Sequence, residues 1–102
     1  MIYVASLVVI PVGTRSTSLS EYVSKVIDSI RGLGLEVEIT PMSTIISSNN
    51  LEEILRAVMV AENTLKELGL KRFVIELSID VRYDRPYRRP RDKVVSVLSR
   101  LQ

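Results

Sequence analysis

Apolar residues recur along the chain with two different periods, and each period predicts a different kind of element. Residues 2–10 (IYVASLVVI) are apolar at odd and even positions alike except for Ser6, which is typical of a strand covered on both faces. Residues 35–39 (LEVEI) and 71–83 (KRFVIELSIDVRY) alternate, which is typical of strands with one covered face. The pattern therefore predicts strands in these three segments.

The segment EITPMSTII (38–46) alternates as a strand would, but Pro41 stands in its middle. Proline has no N–H group to donate to a ladder in a central strand, so pairing should break at this position. Residues 43–47 (STIIS) then predict a further short strand. The segment is therefore interpreted as two strands joined by a corner.

A first amphipathic helix is predicted within residues 16–35. Ser18 and Glu21 have the spacing of a capping box, in which each side chain bonds the backbone N–H of the other residue. Gly32 or Gly34 can end the helix, since glycine tolerates the backbone conformation of a helix C-terminus.

A second helix is predicted within residues 49–70, capped by Asn49 or Asn50 and ended by Gly69. Its expected apolar stripe consists of Leu51, Ile54, Leu55, Val58, Leu65 and Leu68. A short final helix is predicted over 91–101, with Pro90 near its start. Its side chains expected to face inward are Val94, Val95, Leu98 and Leu101.

The order strand, helix, strand, strand, helix, strand predicts an α+β ferredoxin-like βαββαβ sandwich with an extra C-terminal helix. We expect one domain over residues 1–102, with the first and third strands central and two helices on one sheet face. The other face would carry Ser6, Glu38, Glu76, Ser78 and Asp80 among apolar Val4, Val8 and Ile10. Because the first strand is apolar on both sides, we expect another subunit to cover it.

Composition excludes several kinds of chemistry. The 102 residues include no cysteine and no histidine, which removes disulfides, thiolate sites, the usual zinc ligand and the usual proton shuttle. A net charge of +2 is weak evidence for nucleic acid. The amino-terminal apolar run is too short for a membrane span and has no basic leader. We therefore expect a cytoplasmic protein without a metal site.

Three groups of residues could carry chemistry. The segment PVGTRSTS (11–18) could bind an anion at a helix N-terminus, although an ordinary turn with a helix cap is the simpler interpretation. Glu62 borders or enters the stripe of the second helix, where a buried carboxylate would need a partner. The alternative is a glutamate at the rim that reaches solvent.

The third group is the polar row Glu76, Ser78, Asp80 and Arg82 with the basic segment that follows it. Such a run could bind phosphate, but solvated charge around a loop is the commoner case. We expect Asp80 and Arg82 to form a structural pair between subunits. Since no catalytic set is present, the residues favour a binding or assembly module over an enzyme.

Over nearly its whole length the chain resembles a family of small thiamine-binding proteins. The resemblance rests on PVGT (11–14), Tyr22 with Val23, TPMST (40–44), IDVR (79–82) and Lys93 with Val94. The Thr-Pro-Met corner and the Ile-Asp-x-Arg strand are its more specific parts. It implies a ferredoxin-like subunit that assembles as a homotetramer, a dimer of dimers. It also implies similarity to tandem-domain proteins that bind thiamine or its hydroxymethylpyrimidine moiety.

The resemblance also implies which side chains contact the ligand. The expected ligand-binding residues are Thr14, Tyr22, Met42, Ser43, Thr44 and Glu62. The candidates for a phosphate group or for an interface are Asp80, Arg82, Arg85 and Arg88. The chain departs from the family at Ser43, where glycine is usual, at Ser47 and Ser48 in place of Glu-Gly, and at Ala61 in place of histidine.

Two other functions compete with ligand binding. The first is a structural or regulatory homo-oligomer without a ligand, since apolar strand faces are explained by assembly alone. A ligand-dependent rise in melting temperature separates it from a binding protein. The second is an RNA-binding module, which normally stacks bases on aromatic residues of the central strands. Only Tyr3 is available for that role on the predicted central strands.

Overall fold

The computed structural model describes residues 1–13, 20–86 and 90–101. Its elements in chain order are β1 (Ile2–Pro11), α1 (Ser20–Arg31), β2 (Glu36–Ile39), β3 (Thr44–Ser48), α2 (Leu51–Glu67), β4 (Phe73–Arg82) and α3 (Pro90–Arg100). The order confirms the predicted α+β ferredoxin-like arrangement with an additional C-terminal helix. The proposed cap Ser18 lies outside the described residues.

The four strands form one antiparallel sheet in the order β2-β3-β1-β4. Strand β1 pairs with β4 along its whole length, from Ile2 opposite Arg82 to Pro11 opposite Phe73. On its other side β1 pairs with β3. The prediction that the first and third strands are central is therefore confirmed.

Strands β2 and β3 form a hairpin around Pro41. Ile39 is opposite Thr44, and the Thr40 N–H donates to the Ser43 carbonyl at 3.0 Å. The Thr40 hydroxyl also accepts a hydrogen bond from the Ser43 N–H at 3.0 Å and donates to the Ser43 carbonyl at 2.8 Å. The predicted corner is confirmed, and the Thr40 side chain stabilises it by satisfying backbone groups of the turn.

The hydrophobic core lies between one face of the sheet and the helices α1 and α2. It consists of Tyr3, Ala5, Leu7, Val26, Ile30, Ile46, Ile54, Ala57, Ala61 and Leu65. The buried face of α2 is thus formed by positions 54, 57, 61 and 65. The prediction that Leu51, Leu55 and Leu68 belong to the buried stripe is wrong, because all three are exposed. The alanines at 57 and 61 pack into the core instead.

Helix α3 lies on the sheet face opposite α1 and α2, which we call the outer face. It covers the β1 residues Ile2 and Val4 and the β3 residue Ile45 across a cavity. We expected Val94, Val95, Leu98 and Leu101 to point inward. Val94 and Leu98 do face the sheet across the cavity, whereas Val95 and Leu101 do not line it, and all four remain 53% to 66% exposed. The physical reason is that α3 borders an open space and does not join the core. None of the described helices is both long enough and apolar enough to cross a membrane.

Candidate functional site

A cavity of about 510 Å³ separates α3 from the outer face of the sheet, and we call it the outer cavity. Its apolar lining consists of Ile2, Val4, Ile45, Val94, Val97 and Leu98. Its polar lining consists of Glu38, Thr40, Asp80, Arg82, Arg85 and Lys93. Small-molecule sites in proteins usually have volumes of about 300–1,000 Å³ and combine apolar walls with a few polar groups. The outer cavity matches this description in both respects.

Strand register explains why these side chains meet. Alternate residues of a strand face the same side of a sheet. Val4 lies opposite Asp80 on β4, and Ile2 lies opposite Arg82. On the other half of the sheet Glu38 lies opposite Ile45. The polar groups of two sheet edges therefore flank the apolar centre of the cavity floor.

Arg82 is held by a neighbour on its own chain. Its guanidinium donates two hydrogen bonds to the Asp84 carboxylate, Nε at 3.1 Å and Nη2 at 2.8 Å. These bonds keep the pKa of Asp84 below its ordinary value and raise the pKa of Arg82. The pair expected between Asp80 and Arg82 is one between subunits, so it stays a prediction; within the chain, the bidentate bond of Arg82 goes to Asp84. The carboxylate of Asp80 acts on Arg82 only through a weaker electrostatic interaction.

The side chains of Arg85 and Lys93 make no ion pair within the described part of the chain. Arg85 acts on Asp84 through space and lowers its pKa slightly. The backbone of Arg85 is fixed, because its carbonyl accepts a hydrogen bond of 2.6 Å from the Met1 amino group. Both cations thus line the outer cavity without a direct protein counterion among the described residues.

A second, smaller space of about 170 Å³ lies beside the Pro41 turn, and we call it the proline crevice. Three of the predicted ligand-binding residues meet there: Met42, Ser43 and Thr44. Apolar residues from β1 and α1, including Leu7 and Val26, complete its lining. No charged side chain is among the described residues that line it. Thr40 contributes to both the crevice and the outer cavity.

The other predicted ligand-binding residues are not brought together with these three. Tyr22 is half-buried on α1 and packs against the core. Glu62 is exposed on α2 beside the buried Ala61 and lines neither space. Of the two interpretations of Glu62, the solvent-exposed one agrees with the structure. Thr14 and Arg88 lie outside the described residues, as does most of the segment 11–18.

The departures from the family pattern fall at well-packed positions. No described residue other than glycine has a positive φ, so Ser43 fits the turn without strain. Its hydroxyl oxygen accepts a hydrogen bond of 2.8 Å from the Ser6 hydroxyl. Ser47 and Ser48 are buried, and the Ser48 hydroxyl donates to the Glu53 carboxylate. Ala61 is completely buried in the core and does not face either space.

Two further kinds of site find no support in the described residues. No group of three or more acidic side chains there could hold a metal ion. Tyr3, the aromatic residue available for base stacking, lies on the helix-covered face and is only 7% exposed. It therefore cannot serve as a stacking platform on the open side of the sheet.

Sequence reasoning identified the charged residues of the β4 edge but missed the apolar half of the outer cavity. Asp80, Arg82 and Arg85 were among the candidates, whereas Val94, Val97 and Leu98 were assigned to the core or not singled out. The available signal was the apolar face of the last helix, combined with a first strand that is apolar on both sides. Together these features indicate that the last helix covers the apolar outer face of the first strand.

Comparison with known proteins agrees with this architecture. The chain is 39% identical over 97 residues to a UPF0045 protein of Methanothermobacter thermautotrophicus, covering 95% of this chain and 97% of the relative. It is similar to the crystal structure of MJ1052 from Methanocaldococcus jannaschii, with a TM-score of 0.78, 31% identity and coverage of 94% and 95% of the two chains.

A third similar structure comes from Thermotoga maritima and is described as a proposed thiamine biosynthesis/salvage protein. It has a TM-score of 0.76 and 26% identity, and the match covers 95% of this chain and 99% of that one. The family model described as thiamine-binding protein matches residues 5–98, which include β2, β3 and β4 in full and most of β1 and α3. The chain therefore belongs to the thiamine-binding protein family.

Proposed function

We propose that the protein is a non-catalytic, oligomeric small-molecule-binding protein that binds thiamine or its hydroxymethylpyrimidine moiety in the outer cavity. One observation carries this proposal: a cavity of about 510 Å³ in which two carboxylates, Glu38 and Asp80, accompany an apolar floor and an apolar helix. The family to which the chain belongs and the description of the Thermotoga maritima protein support the choice of ligand.

The chemistry of the ligand suits these groups. An aminopyrimidine has an exocyclic amine that donates hydrogen bonds, and the thiazolium ring of thiamine carries a positive charge. A carboxylate accepts from the amine and stabilises the cation, and both interactions gain strength where the site excludes water. Val4 and Ile45 on one side and Leu98 on the other offer apolar surfaces for the flat rings.

The proline crevice is the competing location for the same ligand. Its hydroxyl groups at Ser43 and Thr44 could orient a pyrimidine. It is less suitable for two reasons: its volume of about 170 Å³ is below the usual range for ligand sites, and no described side chain there offers a charge to a cation. Variants of the two spaces therefore distinguish the locations.

Self-assembly is part of the proposal. On the outer face Val8 is only half-buried, and Val95 and Leu101 of α3, which do not line the outer cavity, are exposed in the single chain. Contact with further copies would remove this apolar surface from water. The resemblance described above implies a homotetramer composed of two dimers, and we propose that state for this chain.

The ligand assignment is tested by calorimetry with thiamine and with hydroxymethylpyrimidine. We expect Asp80→Asn and Glu38→Gln each to weaken binding of the preferred ligand by about tenfold, since each removes a charge-assisted contact. Glu76→Gln and Glu36→Gln are the matched controls, because these residues lie on the same strands but do not line the outer cavity. The controls should bind like the unmodified protein.

Two results would contradict parts of the proposal. If Met42→Ala weakens binding while the outer-cavity variants do not, the ligand occupies the proline crevice. If neither ligand produces heat nor raises the melting temperature at millimolar concentration, the thiamine assignment is wrong. The structural or regulatory oligomer without a ligand would then remain as the function of the fold.

A further inference from the structure

The charges of the outer cavity are not evenly distributed over its floor. Glu38 lies on β2, at one edge of the sheet, whereas Arg82 lies on β4, at the opposite edge. Three strand spacings separate these edges, roughly 14 Å. Arg85 follows β4 directly in the chain. The cavity therefore has the carboxylate of Glu38 at its β2 edge, and at its β4 edge the guanidinium groups of Arg82 and Arg85 together with the carboxylate of Asp80.

The three cations that line the outer cavity differ in their availability. The guanidinium of Arg82 is occupied by its two hydrogen bonds to Asp84. Arg85 and Lys93 have no direct ion pair within the described part of the chain. The charged side chains that line the cavity are three cations (Arg82, Arg85 and Lys93) and two carboxylates (Glu38 and Asp80), so positive charge is in excess there and favours an anionic group of a ligand.

The position of Lys93 strengthens this effect. It lies in the first turn of α3, an 11-residue helix, and its neighbour Val94 also lines the outer cavity. The N-terminal turn of a helix carries a partial positive charge, so an anion near it is stabilised by the helix dipole as well as by the lysine. An anionic group in this part of the cavity would thus be stabilised by the N-terminus of α3, by Lys93 and by Arg85.

We propose that the outer cavity binds its ligand as a phosphate ester, with the phosphate at Arg85 and Lys93 and the amine-bearing or cationic part toward Glu38. This inference rests on the proposed function, because it places the phosphorylated form of the same ligand in the same cavity. Arginine and lysine donate charge-assisted hydrogen bonds to phosphate oxygens. The phosphorylated forms of thiamine are accordingly the preferred ligands.

The test compares thiamine, thiamine monophosphate, thiamine diphosphate and pyrophosphate by calorimetry with the 102-residue chain. We expect at least one phosphorylated form to bind about tenfold more tightly than thiamine, and the advantage to shrink as salt is added. Arg85→Gln and Lys93→Gln should reduce this advantage, because each should weaken the phosphorylated forms more than thiamine. Arg91→Gln is the matched control, since Arg91 is exposed in the same helical turn but does not line the cavity.

The calorimetric results distinguish a missing phosphate site from a wrong ligand. If thiamine binds but its phosphates bind no more tightly, the phosphate site is absent and the proposed function stands. The inference is also overturned if Arg85→Gln and Lys93→Gln weaken all three ligands equally. If thiamine fails to bind while pyrophosphate alone binds and both variants abolish that binding, the anion site stands and the thiamine assignment is wrong. If none of these compounds binds, the phosphate inference and the assignment of thiamine are both wrong, and hydroxymethylpyrimidine alone remains of the proposed ligands.

Discussion

The hydroxyl group of Ser6, in the central strand β1, donates a hydrogen bond of 2.8 Å to the hydroxyl oxygen of Ser43, in the turn between β2 and β3. The bond thereby attaches the turn to β1, which is not one of the two strands that the turn joins. Because Ser43 lines the proline crevice and the adjoining Thr40 lines both spaces, this bond fixes the wall between them. A glycine at position 43 could not form it.

The Ser6–Ser43 bond predicts an energetic coupling between the two positions. A neutral hydrogen bond in a partly buried setting contributes about 1 kcal/mol to the free energy of unfolding. We expect Ser6→Ala and Ser43→Ala each to destabilise the protein, and the double variant to lose about 1 kcal/mol less than the sum. Urea denaturation of all four proteins measures this. Fully additive losses would show that the bond does not contribute.

Two adjacent residues of α2 should respond very differently to truncation. Ile54 is completely buried, whereas Leu55 is 45% exposed. We expect Ile54→Ala to lower the free energy of unfolding by about 2–5 kcal/mol, because it removes buried methyl groups and leaves a cavity. Leu55→Ala should cost about 1 kcal/mol or less. Equal losses in chemical denaturation would contradict the observed orientation of the helix.

The bond between Arg82 and Asp84 predicts a measurable pKa change. In the wild type the pKa of Asp84 is lowered, chiefly by the hydrogen bonds from Arg82. Arg82→Gln should return the pKa of Asp84 toward its ordinary value, whereas Arg85→Gln should change it less, since Arg85 acts only through space. Carboxyl NMR titration distinguishes the two variants.

The sign of the pH effect follows from the direction of this shift. A carboxyl group with a lowered pKa in the folded state stabilises the fold above its unfolded pKa, near 3.9 for aspartate, and loses this contribution as the pH falls through the folded value. The wild type should therefore lose slightly more stability than Arg82→Gln below about pH 4. The effect is small, because both side chains are largely exposed to solvent.

The exposed apolar residues of α3 favour self-association, and the family resemblance implies that four copies assemble. Light scattering should give the mass of four chains of 11.5 kDa. Val95 is 54% exposed and does not line the outer cavity, so Val95→Glu should place a charge in the subunit contact and reduce the mass. Ser96→Glu is the control on the adjacent, polar position. A monomeric wild-type protein would contradict the proposed homotetramer.

Much of the fold was predictable because most helices and strands are specified by the residues within or next to them. The alternation at 35–39 and 71–83, the proline at 41 and the asparagine cap of α2 each specify an element by local physics, and the structure confirms all of them. The cap is Asn50, whose side chain accepts a hydrogen bond of 2.9 Å from the Glu52 N–H. Asn49 was the alternative. Only the geometry of the turn chooses between them.

The candidate site was less predictable, because it depends on contacts between distant segments. The residues near Pro41 were brought together as expected, since they are neighbours in sequence. Glu62 lies next to the apolar stripe of α2, so its burial could not be judged from the sequence. A rotation of the helix about its axis by one residue position moves the side chain at 62 from the core to the solvent. In the structure Ala61 and Leu65 are buried in the core, and Glu62 is exposed to solvent.

The sequence by itself determined the order of strands and helices, the corner at Pro41 and the need to cover both faces of the first strand. These features depend on hydrophobic period, backbone donors and turn chemistry, all of which are local. The tertiary structure alone decided that α3 lies on the outer face and leaves a cavity beneath it. The size of this cavity depends on the distance between α3 and the sheet, which do not pack tightly against each other. The hydrophobic period of a segment contains no information about such a distance.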